Sequence, residues 1–525
     1  MTPESGSISG EMGNTENHYS GERRLTMNRK EFTRVTPEEA GIPSDAIMRL
    51  LDRLESGFTE MHGLMIMRHD QVCTEGFWAP YAPGIPHMCA SLTKTYMGTA
   101  IGIAIREGLL TLDTHLTEIF PEYMPENPSP YFEELTIRHV LTMGSGMTQF
   151  PEMEENWVKN FIAVPLTHRP GTHFWYNSVG STFLGKVIEK LTGKDVYTYL
   201  DEKLFPKIGI NGKNILHGIA PEGKDMWAWR TVSTTEDNLR LMKLYRDGGL
   251  WEGERILPEE YVRLATTKQI DNDNPQAREH GFLDACSGYG YQMWMCQIPG
   301  AYRADGAAGQ YSIVIPDKDM IVAINENAPG PGPFQTLKAI WETLLPAVQD
   351  EPIIPDEEEL AVQKRLYARL RHLTIEAPEF KPYAKMKEHA SGKYTVLNGD
   401  FNLFCNGMFA PEANPVHGFE IRYGEMEGTI LWEGTDHTSC TVEFAMDGSR
   451  RYNRFRSPWQ FAEQCWANGV WESDDTFRLE ELWPENNSRK ILRFTFDEDR
   501  CTVSYEGGGL PGQSVETVKV TCRKI

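Results

Sequence analysis

The chain has 525 residues, 40% hydrophobic and 11% aromatic, which is too long for one ordinary core and apolar enough to build two or more. The 52 basic against 75 acidic residues leave a formal charge of −23, a balance that excludes nucleic acid and anionic membrane surfaces as expected partners. Nine dispersed cysteines without a C-x-x-C pair, no apolar run long enough to span a bilayer and no signal-like apolar stretch near the start predict reduced thiols and a cytoplasmic location.

Residues 1–30 are rich in Ser, Gly, Glu and Asn and read as a disordered tail. Thr36-Pro-Glu-Glu39 is expected to cap a helix that runs through Ile47 to about Glu55. His62–Arg68 and Val72–Trp78 alternate around the polar turn at His69, which predicts a β-hairpin. A helix is expected to start at Ser91 and run to about Glu107. Helical patterns then dominate to about Pro221, including a capped helix over Thr136–Met143 that stops at Gly144-Ser-Gly146. Thr234-Thr-Glu-Asp237 opens another helix, halted by Gly248-Gly249. Tyr289–Trp294 is read as strand-like. A second hairpin joins Tyr311–Ile315 to Met320–Asn325, and Gln335–Leu345 is the last helix of this unit.

Asp350 to Glu359 carries six acids and two prolines, the composition of a linker. A helix over Glu359–Leu373 follows. Short alternating runs at Phe401–Phe404, Phe419–Tyr423, Cys440–Phe444, Ile491–Phe496 and Cys501–Tyr505 then predict an all-β unit, a small barrel or sandwich. The expected division is a tail (1–30), a first domain (31–348), an acidic linker with its helix (349–385) and an all-β accessory domain (386–525). The last is expected to cover a cleft or mediate homodimerisation.

The residues that carry chemistry are Ser91-Leu-Thr-Lys94. Serine and lysine three apart on a helix share a face. A hydroxyl attacks poorly until a neighbour accepts its proton, and a desolvated lysine is a suitable acceptor. Such a pair also needs a second proton carrier and donors for an oxyanion. Tyr176, in Pro170-Gly-Thr-His-Phe-Trp-Tyr176, is the candidate carrier, on the expectation that its phenol ionises cheaply beside Lys94. Among the aromatics, Trp175, Tyr289 and Trp294 are candidates for an apolar acyl pocket, the alternative being plain core. His139 reads as structural, and His87 as packed rather than pocket-lining. Neither a G-x-S-x-G elbow nor an H-E-x-x-H motif occurs, so no metal and no organic cofactor is expected.

Ser91-x-x-Lys94, the Pro170-Gly-Thr…Tyr176 segment and Asp305-Gly-Ala-Ala-Gly-Gln310 occur in an order and spacing that resembles the serine β-lactamase-related hydrolases. These include class C β-lactamases, D-Ala-D-Ala carboxypeptidases, esterases and 6-aminohexanoate-dimer hydrolase. Thr136–Gly146, Leu204-Phe-Pro-Lys-Ile-Gly209 and Gly288-Tyr-Gly-Tyr-Gln292 extend the resemblance over residues 35–347. It implies an α+β fold: an antiparallel sheet flanked by helices, with a helical insertion that carries Tyr176. It further implies Ser91 as acylated nucleophile, Lys94 as base and Tyr176 as proton relay, with an oxyanion hole from the Ser91 and Ala307 amides. Asn177, Ser178, Trp294, Arg303, Asp305 and Gly306 are the implied substrate-binding positions.

Two departures stand out. Ser178 occupies the place of an asparagine in the second motif. Ala304 occupies the place of the cation in the third, with Arg303 one residue earlier. Neighbours on a strand face opposite sides, so Arg303 is a doubtful replacement, while Asp305 suggests a site that accepts a hydrogen bond or holds a cation. The expected activity is hydrolysis of a small ester or amide through an acyl-enzyme. The alternatives are a D-amino-acid peptidase or carboxypeptidase, a weak β-lactamase, or a non-catalytic ligand- or partner-binding descendant.

Overall fold

The structure, a computed structural model, describes residues 31–152, 156–217, 231–379, 387–398, 416–434, 439–454, 464–506 and 518–525. The tail at 1–30 and the run at Phe401–Phe404 lie outside the described residues.

A seven-stranded sheet organises the first part of the chain. Its order is Thr33–Arg34, Gln71–Phe77, Glu60–Arg68, Met320–Asn327, Gln310–Ile315, Tyr302–Gly306 and Trp294–Met295. All neighbours run antiparallel except the first pair. Both predicted hairpins are present. The first turns at His69-Asp70, each with positive φ (50° and 62°), the conformation that matches strand twist in a two-residue loop. Period-2 alternation divides Glu60–Arg68 between two cores: Leu64 and Ile66 pack under the Ser44–Leu54 helix, while Met65 and Met67 face the larger helical layer.

The Thr93–Arg106 helix is the axis of that layer. Its residues 93–104 are all buried, as expected of a helix that is apolar nearly all round. The Thr235–Arg246 helix beside it starts on a reciprocal capping box between Thr234 and Asp237, as the sequence predicts.

Three expectations are corrected. The Thr36–Glu39 box forms, with the Thr36 amide donating to Glu39 at 2.7 Å, but it closes a turn; the helix starts later, at Ser44, behind Pro43. The helix after Ser91 begins at Thr93, because Ala90 sits at φ 47° and breaks the path into it. Tyr289–Trp294 is a turn with Gln292 at φ 59°, and only Trp294–Met295 pairs as strand.

The acidic stretch acts as a cap rather than a bare linker. Asp356 caps the Glu357–Leu370 helix, and Glu357, Glu358 and Glu359 line its first turn, where carboxylates meet the positive end of the helix dipole. That helix lies on the Ser44–Leu54 helix, with Arg369 pairing to Asp52 at 2.6 Å.

The C-terminal part is all-β. A ten-stranded sheet runs from Ser439–Ala445 round to Arg451–Arg454, and pairing of Ala445 with Asn468 closes it on itself as a barrel. Aromatic side chains fill it, among them Trp432, Trp471, Phe477, Trp483 and Phe494. The barrel docks through Trp466 and Leu482, which join the core beneath the Ser44–Leu54 helix. Arg489 pairs with Glu60, and Asn487 Nδ2 donates to the Glu326 carbonyl at 3.0 Å. No helix among the described residues is long and apolar enough to cross a membrane.

Candidate active site

The His87–Ala90 strand delivers Ser91 and is held from two sides. It pairs with Thr231–Ser233, and Cys89 Sγ lies 2.8 Å from Ser233 Oγ, which donates to Asn238 Oδ1 at 2.8 Å. Tyr96 of the following helix donates to the same Asn238 oxygen at 3.1 Å. Strand and helix are thus pinned to one buried amide on either side of Ser91. Ala90 at positive φ turns the chain sharply just ahead of Ser91, a strained conformation that persists only where surrounding contacts enforce it.

Lys94 Nζ donates to Ser91 Oγ at 2.9 Å. Burial pushes the Lys94 amine down to about 7, against the opposing charge of Asp305. The amine is therefore partly neutral near pH 7 and able to accept a proton, where an exposed lysine stays protonated.

Tyr176 lies beside this pair. Ser91 acts on its phenol as a polar side-chain neighbour, and Lys94 Nζ lies 5.1 Å from its ring centroid. Local packing explains its place: the Trp175 amide donates to the Met143 carbonyl at 2.9 Å, and Gly171 to the Gly144 carbonyl at 2.7 Å. Asn177 then caps the Ser178–Thr192 helix. The expectation of a cheaply ionised phenol is corrected: burial raises the Tyr176 phenol above its ordinary value, which keeps it neutral.

Gly306 lets the strand ahead of Ala307 come close to the segment that leads into Ser91. A Cβ at this residue would lie 2.1 Å from the Cys89 carbonyl oxygen, so only glycine lets the Tyr302–Gly306 strand approach the segment that leads into Ser91. Neither the Ser91 nor the Ala307 amide donates to a group among the described residues. The turn that carries Ala307 rests on Glu326. Gly309, at φ 88°, leaves no room for a side chain above the Glu326 carboxyl. Thr59 and Thr336 donate to that carboxyl, each at 2.8 Å, and burial pushes it up to about 8.

The remaining predicted residues separate into two groups. Trp294 belongs, half-buried, with its ring centroid 5.6 Å from that of Tyr176; Tyr289 packs against both, and Phe174 against Trp294 and Tyr289. Asp305 belongs too, since its charge acts on Lys94 and Tyr176. Ser178 is half-buried at the first helical position after Asn177.

Asn177 does not belong, because its Oδ1 accepts the Gly180 amide at 3.0 Å as a buried helix cap. Arg303 is likewise withdrawn from substrate. Its guanidinium is buried and spent on Asp305 at 2.8 Å, the Met295 carbonyl at 3.1 Å and the Asp284 carbonyl at 3.0 Å. Trp175 turns away from the aromatic cluster and packs at a 45° tilt on Phe150, ring centroids 4.8 Å apart. His139 closes a capping box with Thr136, and His87 Nε2 lies 2.7 Å from His62 Nδ1 in the core; both are structural, as expected.

Sequence reasoning assigned no role to Gln292. Its side chain accepts from Ser181 at 2.6 Å and donates to the Leu141 carbonyl at 2.9 Å, while its own carbonyl accepts from Thr95 at 3.0 Å. It joins the Thr93–Arg106 helix to the Ser178–Thr192 helix. A glutamine between tyrosine and methionine in an apolar run was the available signal.

A family model described as Beta-lactamase matches residues 51–345. The chain is similar to 6-aminohexanoate-dimer hydrolase of Paenarthrobacter ureafaciens, 22% identical over 324 residues that cover 57% of this chain and 81% of that protein. It is also similar to lovastatin esterase of Penicillium rubens, 28% identical over 149 residues, covering 23% of this chain and 37% of that one. Among solved structures, the octameric penicillin-binding protein homologue from Pyrococcus abyssi aligns with a TM-score of 0.43 at 17% identity, over 91% of this chain and 98% of that chain.

Proposed function

This chain belongs to the beta-lactamase family, and from that premise we propose that it is a serine hydrolase that cleaves a small ester or amide through an acyl-enzyme on Ser91. The observation that carries this reading is the Lys94 amine, buried and donating to Ser91 Oγ at 2.9 Å. In its neutral form Lys94 accepts the Ser91 proton as Oγ bonds to the substrate carbonyl carbon. The carbonyl oxygen takes the negative charge and is held by the Ser91 and Ala307 amides. Tyr176 passes its phenolic proton to the departing alcohol or amine, the acyl–heteroatom bond breaks, and the proton from Lys94 restores the phenol. Water then attacks the acyl group along the same path in reverse.

Small, uncharged or cationic substrates fit this site better than carboxylated ones. Ala304 supplies no cation, and Arg303 is buried behind Asp305. Peptidoglycan peptides and β-lactams present a carboxylate, so the peptidase and lactamase readings are disfavoured. A cytoplasmic location is part of the proposal, supported by the eight free, buried thiols among the described residues.

Incubation of the full-length protein with a fluorophosphonate should add one phosphonyl group, detected by intact mass, and abolish p-nitrophenyl ester hydrolysis. Ser91→Ala should lose both labelling and turnover. Labelling that survives in Ser91→Ala would place the nucleophile elsewhere.

A further inference from the structure

Asp305 is built into the site in a way that the acyl-transfer chemistry does not use. It stands one residue before Gly306 and two before Ala307, on the strand that lines the proposed oxyanion hole. Period-2 alternation puts it on the same strand face as Arg303, and Arg303 Nε donates to its Oδ2 at 2.8 Å. The two side chains differ in access: Arg303 is 1% exposed and Asp305 21%. The guanidinium is therefore sealed beneath the carboxylate, which alone of the two reaches solvent. The second carboxylate oxygen, Oδ1, accepts no hydrogen bond among the described residues, and it is absent from the buried atoms that lack partners, so it is open to solvent.

Local charge has the same sense. Asp284 adds a second carboxylate beside the single Arg303 cation, and its charge acts on Asp305. Asp284 itself is committed to the core, accepting from the Gln297 amide at 2.8 Å and from Trp341 Nε1 at 3.0 Å. The Lys94 amine also acts on Asp305, so with Lys94 neutral, the form that accepts the Ser91 proton, two carboxylates face one guanidinium and leave a net negative field with one accessible oxygen at its edge. The aromatic faces of Trp294 and Tyr176 stand beside that strand, and such faces attract cations as well as apolar groups.

Resting on the hydrolase reading above, we propose that Asp305 is a specificity-determining residue that receives a cationic amine or quaternary ammonium group of the substrate. Substrates with a carboxylate at the same place are repelled. The acyl or leaving group is then an amine-bearing one, such as an amino-acyl, amino-alkyl or choline-type moiety.

The test uses matched pairs that differ only in charge. One pair is butyryl esters of choline and of its uncharged carbon isostere, dimethylbutanol. The other is p-nitrophenyl esters of trimethylammonio-butyric acid and of its carbon isostere. In at least one pair the cationic ester should be preferred in kcat/KM by on the order of 10- to 100-fold, the size of one hydrogen bond or contact to a charged group. Asp305→Asn should bring that ratio close to unity. Should loss of the Arg303 partner prevent folding of that variant, the wild-type ratio must still fall steeply as ionic strength is raised towards about 1 M. Ratios near unity for both pairs in an enzyme that still acylates Ser91, or a ratio untouched by Asp305→Asn and by salt, would overturn the proposal and leave the hydrolase reading standing. Absence of any ester turnover and of any Ser91 adduct would overturn both.

Discussion

Lys94→Met should lower kcat/KM for a p-nitrophenyl ester by roughly 10²- to 10⁴-fold, the range expected when a positioned base is removed. Methionine keeps the length and volume of the stem and removes only the amine. The fold should gain from the change. Burial holds the Lys94 amine down at about 7 from an ordinary value of 10.5, so folding works against protonation of this group. The unfolded chain binds more protons between those values, and stability rises with pH across that window. The penalty is greatest at and below neutral pH and fades as the ordinary value is approached. Lys94→Met should therefore melt at or above the wild-type temperature at pH 7 while losing activity, a combination that general damage to the fold does not produce. Lys94→Arg should not rescue turnover, because a guanidinium does not release its proton in this range. Activity within a few-fold of wild type in Lys94→Met would remove Lys94 from the mechanism.

The second large effect is expected at Gly306. A methyl group there meets the Cys89 carbonyl oxygen at 2.1 Å and Gln310 Cβ at 2.8 Å. The nearer neighbour is backbone, in the strand that leads into Ser91, and has no rotamer with which to escape. Gly306→Ala should push the Tyr302–Gly306 strand outward and draw the Ala307 amide away from the Ser91 amide. Loss of one oxyanion donor costs about 10²- to 10³-fold in kcat. Overpacking should cost about 1–3 kcal/mol of stability as well. The change should appear in kcat more than in KM, since the donor acts on charge that develops in the transition state. Near-normal kcat in a folded Gly306→Ala protein would mean that the oxyanion is held elsewhere.

How far the sequence foretold these features depended on whether the deciding contact was local. The Glu60–Phe77 hairpin was legible from alternation and a polar turn, and the Thr235–Arg246 helix from a capping box, because each signal lies within a few residues of what it shapes. Ser91 and Lys94 were legible for the same reason. Tyr176 needed the ordered resemblance, since nothing in its aromatic run states that Met143 and Gly144 fold it back onto Ser91.

The misassigned residues failed for physical reasons. Asn177 was expected at the substrate, yet asparagine ahead of a helix is a favoured cap, and that local demand won. Arg303 was judged against Ala304, its neighbour, whereas strand parity places it with Asp305, two residues on. Trp175 and Tyr176 point apart because adjacent side chains in an extended segment alternate. The late start of the nucleophile helix was not legible. It rests on Ala90 at positive φ, which non-local contacts impose against the preference of the residue.

The proposed acylation depends on a Lys94 amine that is neutral near pH 7 and takes the Ser91 proton, and the most direct measurement is the pH dependence of Ser91 acylation. The second-order rate of fluorophosphonate labelling, followed by intact mass across the pH range in which the fold is stable, should rise as the Lys94 amine loses its proton. Its midpoint should fall near the value of about 7 to which burial lowers that amine, with a plateau above, and Lys94→Met should abolish the step. A rate flat from about pH 5 to 9, or one that climbs only where an exposed lysine titrates near 10, would contradict it.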